Sequence, residues 1–146
     1  WDALEQKQFL HRFFRLLIAF RRRHDLLRYD SFQMKNGYGP LISWHGFKLG
    51  QPDWGEQSRS VAMHLCGKTT NGPADDIYLI ANSHNEAHEF ELPRLDGRQW
   101  SRFVDTCLEG DEAIADLGFM HPLNNQHSYR VNGRSVVVLV AAHTQG

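Results

Sequence analysis

The chain is predicted to be mainly β, an antiparallel β-sandwich of about seven or eight strands with Greek-key-like connections, preceded by one long α-helix. Three observations carry this. Residues 2 to about 24 contain no Gly or Pro and repeat apolar side chains at helical spacing. The rest of the chain is punctuated by Gly, Pro, Asn and Asp between short alternating runs, and no helical pattern interrupts those runs. At 146 residues, with 41% apolar residues and a net charge of −1, the chain fits one globular body with a real core. Near-neutral charge removes the general electrostatic case for nucleic acid, and no apolar run reaches the ~20 residues of a membrane helix, so neither partner is expected.

In the helix, Leu10, Phe13, Phe14, Leu17 and Ile18 follow i, i+3, i+4, i+7, i+8. Phe9, Leu16 and Phe20 widen the apolar arc to about 200°, twice the usual stripe of ~100°, so the helix needs neighbours on two sides. Arg12, Arg15, Ala19 and Arg22 form the opposite, solvated face, and Arg21-Arg22-Arg23-His24 closes the last turn, where cations favour the helix dipole. A basic amphipathic helix also suits a membrane surface or a calmodulin-like partner. The aromatic content of the other face favours protein packing. Separated from one of its neighbours, the helix is expected to self-associate.

Strands are expected near residues 40–45, 59–66, 76–82, 87–92, 100–105, 128–131 and 135–141. Val61, Met63 and Leu65 alternate with Ala62, His64 and Cys66, the period of a half-buried strand. The continuous run Val136 to Val140 predicts a central strand. Gly67 to Pro73, Asp96-Gly97 and Asn132-Gly133 read as turns, the last as a two-residue hairpin between flanking strands. Glu109 to Asn125 is the longest irregular connection.

The search for chemistry yields little. Of seventeen acids, the closest pairs are Asp75/Asp76, Glu89/Glu91 and Asp111/Glu112. Adjacent strand residues point to opposite faces and the acidic loop residues have no evident partner, so the acids read as solvated surface or turn caps rather than a catalytic couple. Among nine histidines, His84 and His88 imitate the i, i+4 spacing of a helical metal pair, but they fall in a turn and a strand and need not share a face. Cys66 and Cys107 form no CxxC pair and read as buried thiols of a reducing compartment. Phosphate-cradling, dinucleotide-binding and serine-nucleophile motifs are all lacking. No catalytic residue, metal ligand or cofactor is assigned.

The one concentrated signal is Trp44-His45-Gly46 through Gln51-Pro52-Asp53-Trp54. An indole buries a large apolar face while its N–H seeks a partner, which suits either a sugar ring or a domain contact. The carbohydrate-binding candidates are therefore Trp44, His45, Gln51, Asp53 and Trp54, with the indoles stacking on glucose and the polar groups meeting its hydroxyls.

These residues also carry a resemblance. The pattern Phe9-Leu10 through Leu16-Leu17-Ile18-Ala19-Phe20-Arg21 and His24 is followed by Ile42-Ser43-Trp44-His45-Gly46, Gly50-Gln51-Pro52-Asp53-Trp54 and Ser58-Arg59-Ser60-Val61-Ala62. Then come Asp76 to Asn82, Phe90-Glu91-Leu92-Pro93, Trp100 to Thr106, Tyr129, and Ser135 to Leu139. In this order the chain resembles the C-terminal end of an isoamylase-type debranching enzyme of the α-amylase glycoside hydrolase superfamily. The resemblance implies a division into residues 1–28, the last helix of a (β/α)8 catalytic barrel, residues 29–35, a linker, and residues 36–146, the C-terminal all-β domain. It implies that the chain is a piece of a longer polypeptide, consistent with its opening at Trp1 within a helical pattern. The parent would cleave α-1,6 branch points of glycogen or amylopectin-like glucans with carboxylates upstream of Trp1, so no position here inherits a catalytic role. The expected partner is the barrel of the same polypeptide, with α-glucan as a second, and the expected location is cytoplasmic, or plastid for a plant parent. Three readings follow in order: stabilisation of the barrel, glucan binding through Trp44 and Trp54, and an unrelated β-sandwich interaction module.

Overall fold

The computed structural model describes residues 2–143. Helix α1 spans Ala3–Arg23, close to the predicted span. The Asp2 carboxylate accepts from the Leu4 N–H at 3.2 Å, and Glu5 and Arg21 to Arg23 place acid at the first turn and base at the last. His24 ends the helix in an extended conformation, its N–H still reaching the Phe20 carbonyl.

The wide apolar arc divides. Leu16 and Phe20 are buried, and Phe20 lies parallel to Phe103 with ring centroids 4.1 Å apart. Leu10, Phe14 and Ile18 instead remain 51%, 59% and 54% exposed, so only one of the two flanks that need neighbours has them. The expected solvated basic face requires a correction at Arg12. Its guanidinium donates to the Ile114 carbonyl at 3.2 Å and to Asp116 at 3.4 Å, tying the helix to the long connection between residues 109 and 125.

The strands are β1 (Gly39–His45), β2 (Ser60–Thr69), β3 (Gly72–Pro73), β4 (Asp76–Asn82), β5 (His88–Glu91), β6 (Ser101–Asp105), β7 (His121–Pro122), β8 (Ser128–Val131) and β9 (Ser135–Ala141). Seven form one sheet, ordered β1-β2-β4-β9-β6-β7 with β3 folded back on β2, and β5 and β8 form a second, two-stranded sheet. Every pairing is antiparallel. All seven expected strands are present, and β3 and β7 add two short ones. The central position expected for Val136 to Val140 holds, since β9 pairs with both β4 and β6.

The large sheet is covered on both faces. On one side Leu65, Ile77, Phe103, Val104, Ile114 and Val140 pack against Leu16, Phe20 and Leu26. On the other, Ala62, Tyr78, Ile80, Trp100, Val137 and Leu139 pack against Phe90, Leu92 and Val131. A strand buried on both faces reads as a continuous apolar run, which is why β4 and β9 lack clean alternation. Trp100 is held at both ends: its indole N–H donates to the Pro93 carbonyl at 2.9 Å, while the Gln126 amide bonds both its backbone N–H and its carbonyl.

Two turn expectations are corrected. Asn132-Gly133 joins strands that never pair with each other: β8 pairs with β5 and β9 with β4 and β6, so the turn carries the chain from one sheet to the other. The buried Asn82 side chain holds this corner, its amide shared among the carbonyls of Glu86, Val131 and Asn132, while Arg134 N–H bonds the His84 carbonyl. Gly133 is required there because a Cβ would lie 2.3 Å from the Asn85 carbonyl oxygen. The second is Gly67 to Pro73, much of which is strand: β2 continues to Thr69 and the chain returns at Gly72. Glu109 to Asn125 likewise contains a short 3-10 turn at Gly110–Ala113 and the strand β7.

Candidate functional site

The Trp44 to Trp54 segment leaves β1 through a loop that closes on itself. The Gly46 N–H reaches the Lys48 carbonyl at 3.3 Å, and a Cβ at Gly46 would lie 2.4 Å from the Gln51 carbonyl oxygen, so only glycine fits. The loop is fastened to β5, with Leu49 N–H on the Glu91 carboxylate at 3.0 Å and Glu91 N–H on the Phe47 carbonyl at 2.9 Å.

Of the five candidate residues, the fold brings the two tryptophans together and separates or occupies the others. Trp44 and Trp54 are 44% and 66% exposed, with ring centroids 5.6 Å apart and planes at 75°. This is an edge-to-face pair, and its indoles do not form one flat platform. Trp44 lines a groove with Phe32, Met34, Leu41, Ile42 and Met63, whereas Trp54 lines another with Ser58, Arg59, Val61 and Ala81.

His45 follows Trp44 in β1 and so projects from the opposite face, 5.9 Å from the Tyr78 ring. Its Nδ1 accepts the Gly50 N–H at 2.7 Å, which leaves the Nε2 proton to donate to Ser43 Oγ at 2.9 Å. Burial, with a smaller contribution from His64, lowers its pKa and favours this neutral form. Asp53 Oδ1 accepts the Gly55 N–H at 2.9 Å in a local turn. Gln51 is exposed, and its backbone closes the loop on Lys48. The segment therefore presents two indoles without convergent polar side chains.

Other sequence readings are corrected. Asp76 is neither solvated nor a turn cap: it is 4% exposed, with Oδ2 2.7 Å from His64 Nε2 and Oδ1 accepting from Arg98 at 2.9 Å. Burial raises its pKa, but the His64 and Arg98 hydrogen bonds outweigh that and leave the carboxyl below its ordinary value. Asp75 is held low chiefly by its hydrogen bond from His24, whose Nε2 lies 3.3 Å away. His84 and His88 do meet, with ring centroids 4.7 Å apart, because Phe47 stacks on His88 and draws the turn onto the strand. Cys107 is exposed rather than buried, lying just after β6, where its N–H bonds the Asp105 carboxylate.

Sequence reasoning missed the group formed by His64, Cys66 and Asp76. Among the described residues these are the only three or more potential metal ligands that gather, with their ligand atoms all within 4.8 Å of one another. The alternation in β2 already placed His64 and Cys66 on one face; what spacing could not show is that β4 pairs with β2 and opens with Asp76 beside them. Burial, and then the negative charge of Asp76, push the Cys66 thiol pKa up.

Comparison with known proteins gives this geometry a context. The sequence profile of the family described as isoamylase, C-terminal, matches residues 46–140, from the Gly46 turn through the central strand β9. The chain belongs to the isoamylase C-terminal family. Its relatives include isoamylase SU1, chloroplastic, of Zea mays, 31% identical over 151 residues that cover 96% of this chain and 18% of the relative. Isoamylase 1, chloroplastic, of Oryza sativa subsp. japonica is 32% identical, covering 73% of this chain and 12% of the relative. An isoamylase of a Flavobacterium species is 28% identical, covering 86% and 18%. This isoamylase C-terminal chain thus spans less than a fifth of the length of these relatives. Its profile match begins after β1 and takes in the other strands of both sheets, and the maize alignment extends over nearly all of the chain.

Proposed function

We propose that this chain is the non-catalytic C-terminal part of an isoamylase-type debranching enzyme whose barrel hydrolyses α-1,6 branch linkages in a glycogen- or starch-like glucan, and that it stabilises that barrel. One observation carries the reading: α1 buries Leu16 and Phe20 against the sheet while Leu10, Phe14 and Ile18 on its outer side stay more than half exposed. An apolar seam on a helix already anchored on its other flank is what a second packed body would cover. Residues 1–28 serve as the last helix of the barrel, residues 29–35 as the linker and residues 36–146 as the β-domain. The setting is a plastid or the cytoplasm, in keeping with plant relatives named as chloroplastic.

The test is made in the longer enzyme. Leu10→Asp with Ile18→Asp is expected to lower its thermal midpoint by several degrees while leaving kcat on a branched glucan within about twofold for the folded fraction. An unchanged midpoint, or lost kcat in fully folded enzyme, argues against a stabilising role.

A second reading is favoured by the exposed Trp44 and Trp54, whose indoles offer stacking faces to glucose. Titration with maltooligosaccharides while following tryptophan fluorescence decides it. Saturation that Trp54→Ala abolishes supports glucan contact, and no saturable change up to millimolar ligand removes it.

A further inference from the structure

We propose that His64, Cys66 and Asp76 form a binding site for a zinc ion on the inner face of the large sheet. The three ligands come from two hydrogen-bonded strands. His64 and Cys66 sit two apart in β2 and therefore share a face, and Asp76 opens β4, which pairs with β2 through the Leu65 and Ile77 register. Their imidazole nitrogen, thiol sulfur and carboxylate oxygen lie within 4.8 Å of one another. Tetrahedral zinc, with bonds of about 2.0 to 2.3 Å, sets its ligand atoms roughly 3.3 to 3.6 Å apart. Side-chain rotation of about 1 Å closes the difference.

The surroundings are those of a prepared ligand set. The His64 ring meets both Tyr78 and Trp100 edge-to-face, with centroids 6.0 Å and 5.8 Å away, and its Nε2 already points at Asp76 Oδ2. Arg98 holds the other carboxylate oxygen at 2.9 Å, which leaves Oδ2 as the ligating atom and orients it as an outer hydrogen bond orients a metal-bound carboxylate. His143 follows β9, is anchored by its N–H on Asp75 at 2.9 Å, and brings a further ring nitrogen to 3.9 Å from Asp76 Oδ1. A nitrogen, sulfur and oxygen set selects zinc over the hard cations calcium and magnesium, which take oxygen alone.

The proton balance is simple. Zinc entering the site displaces the Cys66 thiol proton to solvent and takes the place of the Nε2 proton that His64 donates to Asp76 Oδ2, so the metal-bound ring carries its single proton on Nδ1. The thiol proton at least is released with each ion, so affinity rises with pH. The competing account is that His64, Asp76 and Arg98 are only an ion-pair network that satisfies a buried carboxylate, and that account gives no metal affinity.

Cobalt(II) serves as the spectroscopic probe, added to the untagged chain in a Cys107→Ser background so that Cys66 is its single thiol. The expected result is one equivalent bound with a thiolate-to-cobalt charge-transfer band, displaced by zinc. Cys66→Ser should abolish the band, and Asp76→Asn should weaken binding at least about tenfold. A band that survives Cys66→Ser, or no band in the parent protein, overturns the proposal. A measurement that needs no further variant accompanies it: zinc at one equivalent should slow alkylation of Cys66 at least about tenfold. Equal alkylation rates with and without zinc overturn the proposal even if the variants fail to fold.

Discussion

Phe14 and Phe20 are the same residue type on one helix, and the structure assigns them opposite energetic roles. Phe20 is 5% exposed and stacked on Phe103 at 4.1 Å, so Phe20→Ala removes a ring from between the helix and the sheet and leaves a cavity there. Such truncations cost about 3 to 5 kcal/mol, a large share of the 5 to 15 kcal/mol that stabilises a typical domain. Phe14 is 59% exposed, its deletion opens no cavity, and alanine returns up to about 0.7 kcal/mol of helix propensity. Phe14→Ala should therefore cost no more than about 1 kcal/mol. The assay is urea unfolding of the chain followed by tryptophan fluorescence and circular dichroism, at a concentration where light scattering reports a monomer. A gap of at least about 2 kcal/mol between the variants is expected. Equal costs, or a larger cost for Phe14, would refute the division of the helix into an anchored and an open flank.

Gly67 sits at φ +147 with its position for a Cβ only 2.2 Å from the Gly39 carbonyl oxygen, so Gly67→Ala should force β1 from β2 and lower stability by about 2 kcal/mol in the same assay; a change within error would show that the strands part without strain. Asp75 and Asp76 have folded pKa values below their unfolded value of about 4, so their contribution is fully present above that value and is lost as pH falls through the lower folded values. Asp75→Asn should therefore differ in stability from the parent chain at neutral pH and converge with it in acid, and a difference independent of pH would contradict the assignment. At high concentration the exposed Leu10, Phe14 and Ile18 seam should drive self-association, which Ile18→Asp reverses by light scattering; a chain that stays monomeric would count against that surface being adhesive.

How much of this was legible in the sequence depends on whether the signal was local. Helix α1 and the seven longer strands follow from periodicity because burial on a covered face imposes it, and β9 reads as central because both its faces are buried. Asn132-Gly133 misled because a hairpin signal fixes the turn chemistry but not the partner of each strand. The long-range bonds of Asn82 send β8 and β9 to different sheets. Asp76 and Asp75 look alike in sequence, and only the arrival of His64 and Arg98 from elsewhere in the chain makes Asp76 a buried ion-pair centre. Similarly, Trp44 and His45 are neighbours in the chain whose side chains the pleat of β1 sends to opposite faces, so a site read from their proximity does not converge.

The central claim is that the open flank of α1 is covered by the rest of the longer enzyme, and the most direct test is the same substitution in two contexts. Phe14→Ala is measured in this chain and in the longer enzyme, each by denaturant unfolding. A cost of no more than about 1 kcal/mol in the chain and about 3 kcal/mol or more in the longer enzyme is predicted, because only there does the ring leave a cavity. Equal, small costs in both would mean that Phe14 faces water in the whole protein, and the proposed packing of this helix against the barrel would be wrong.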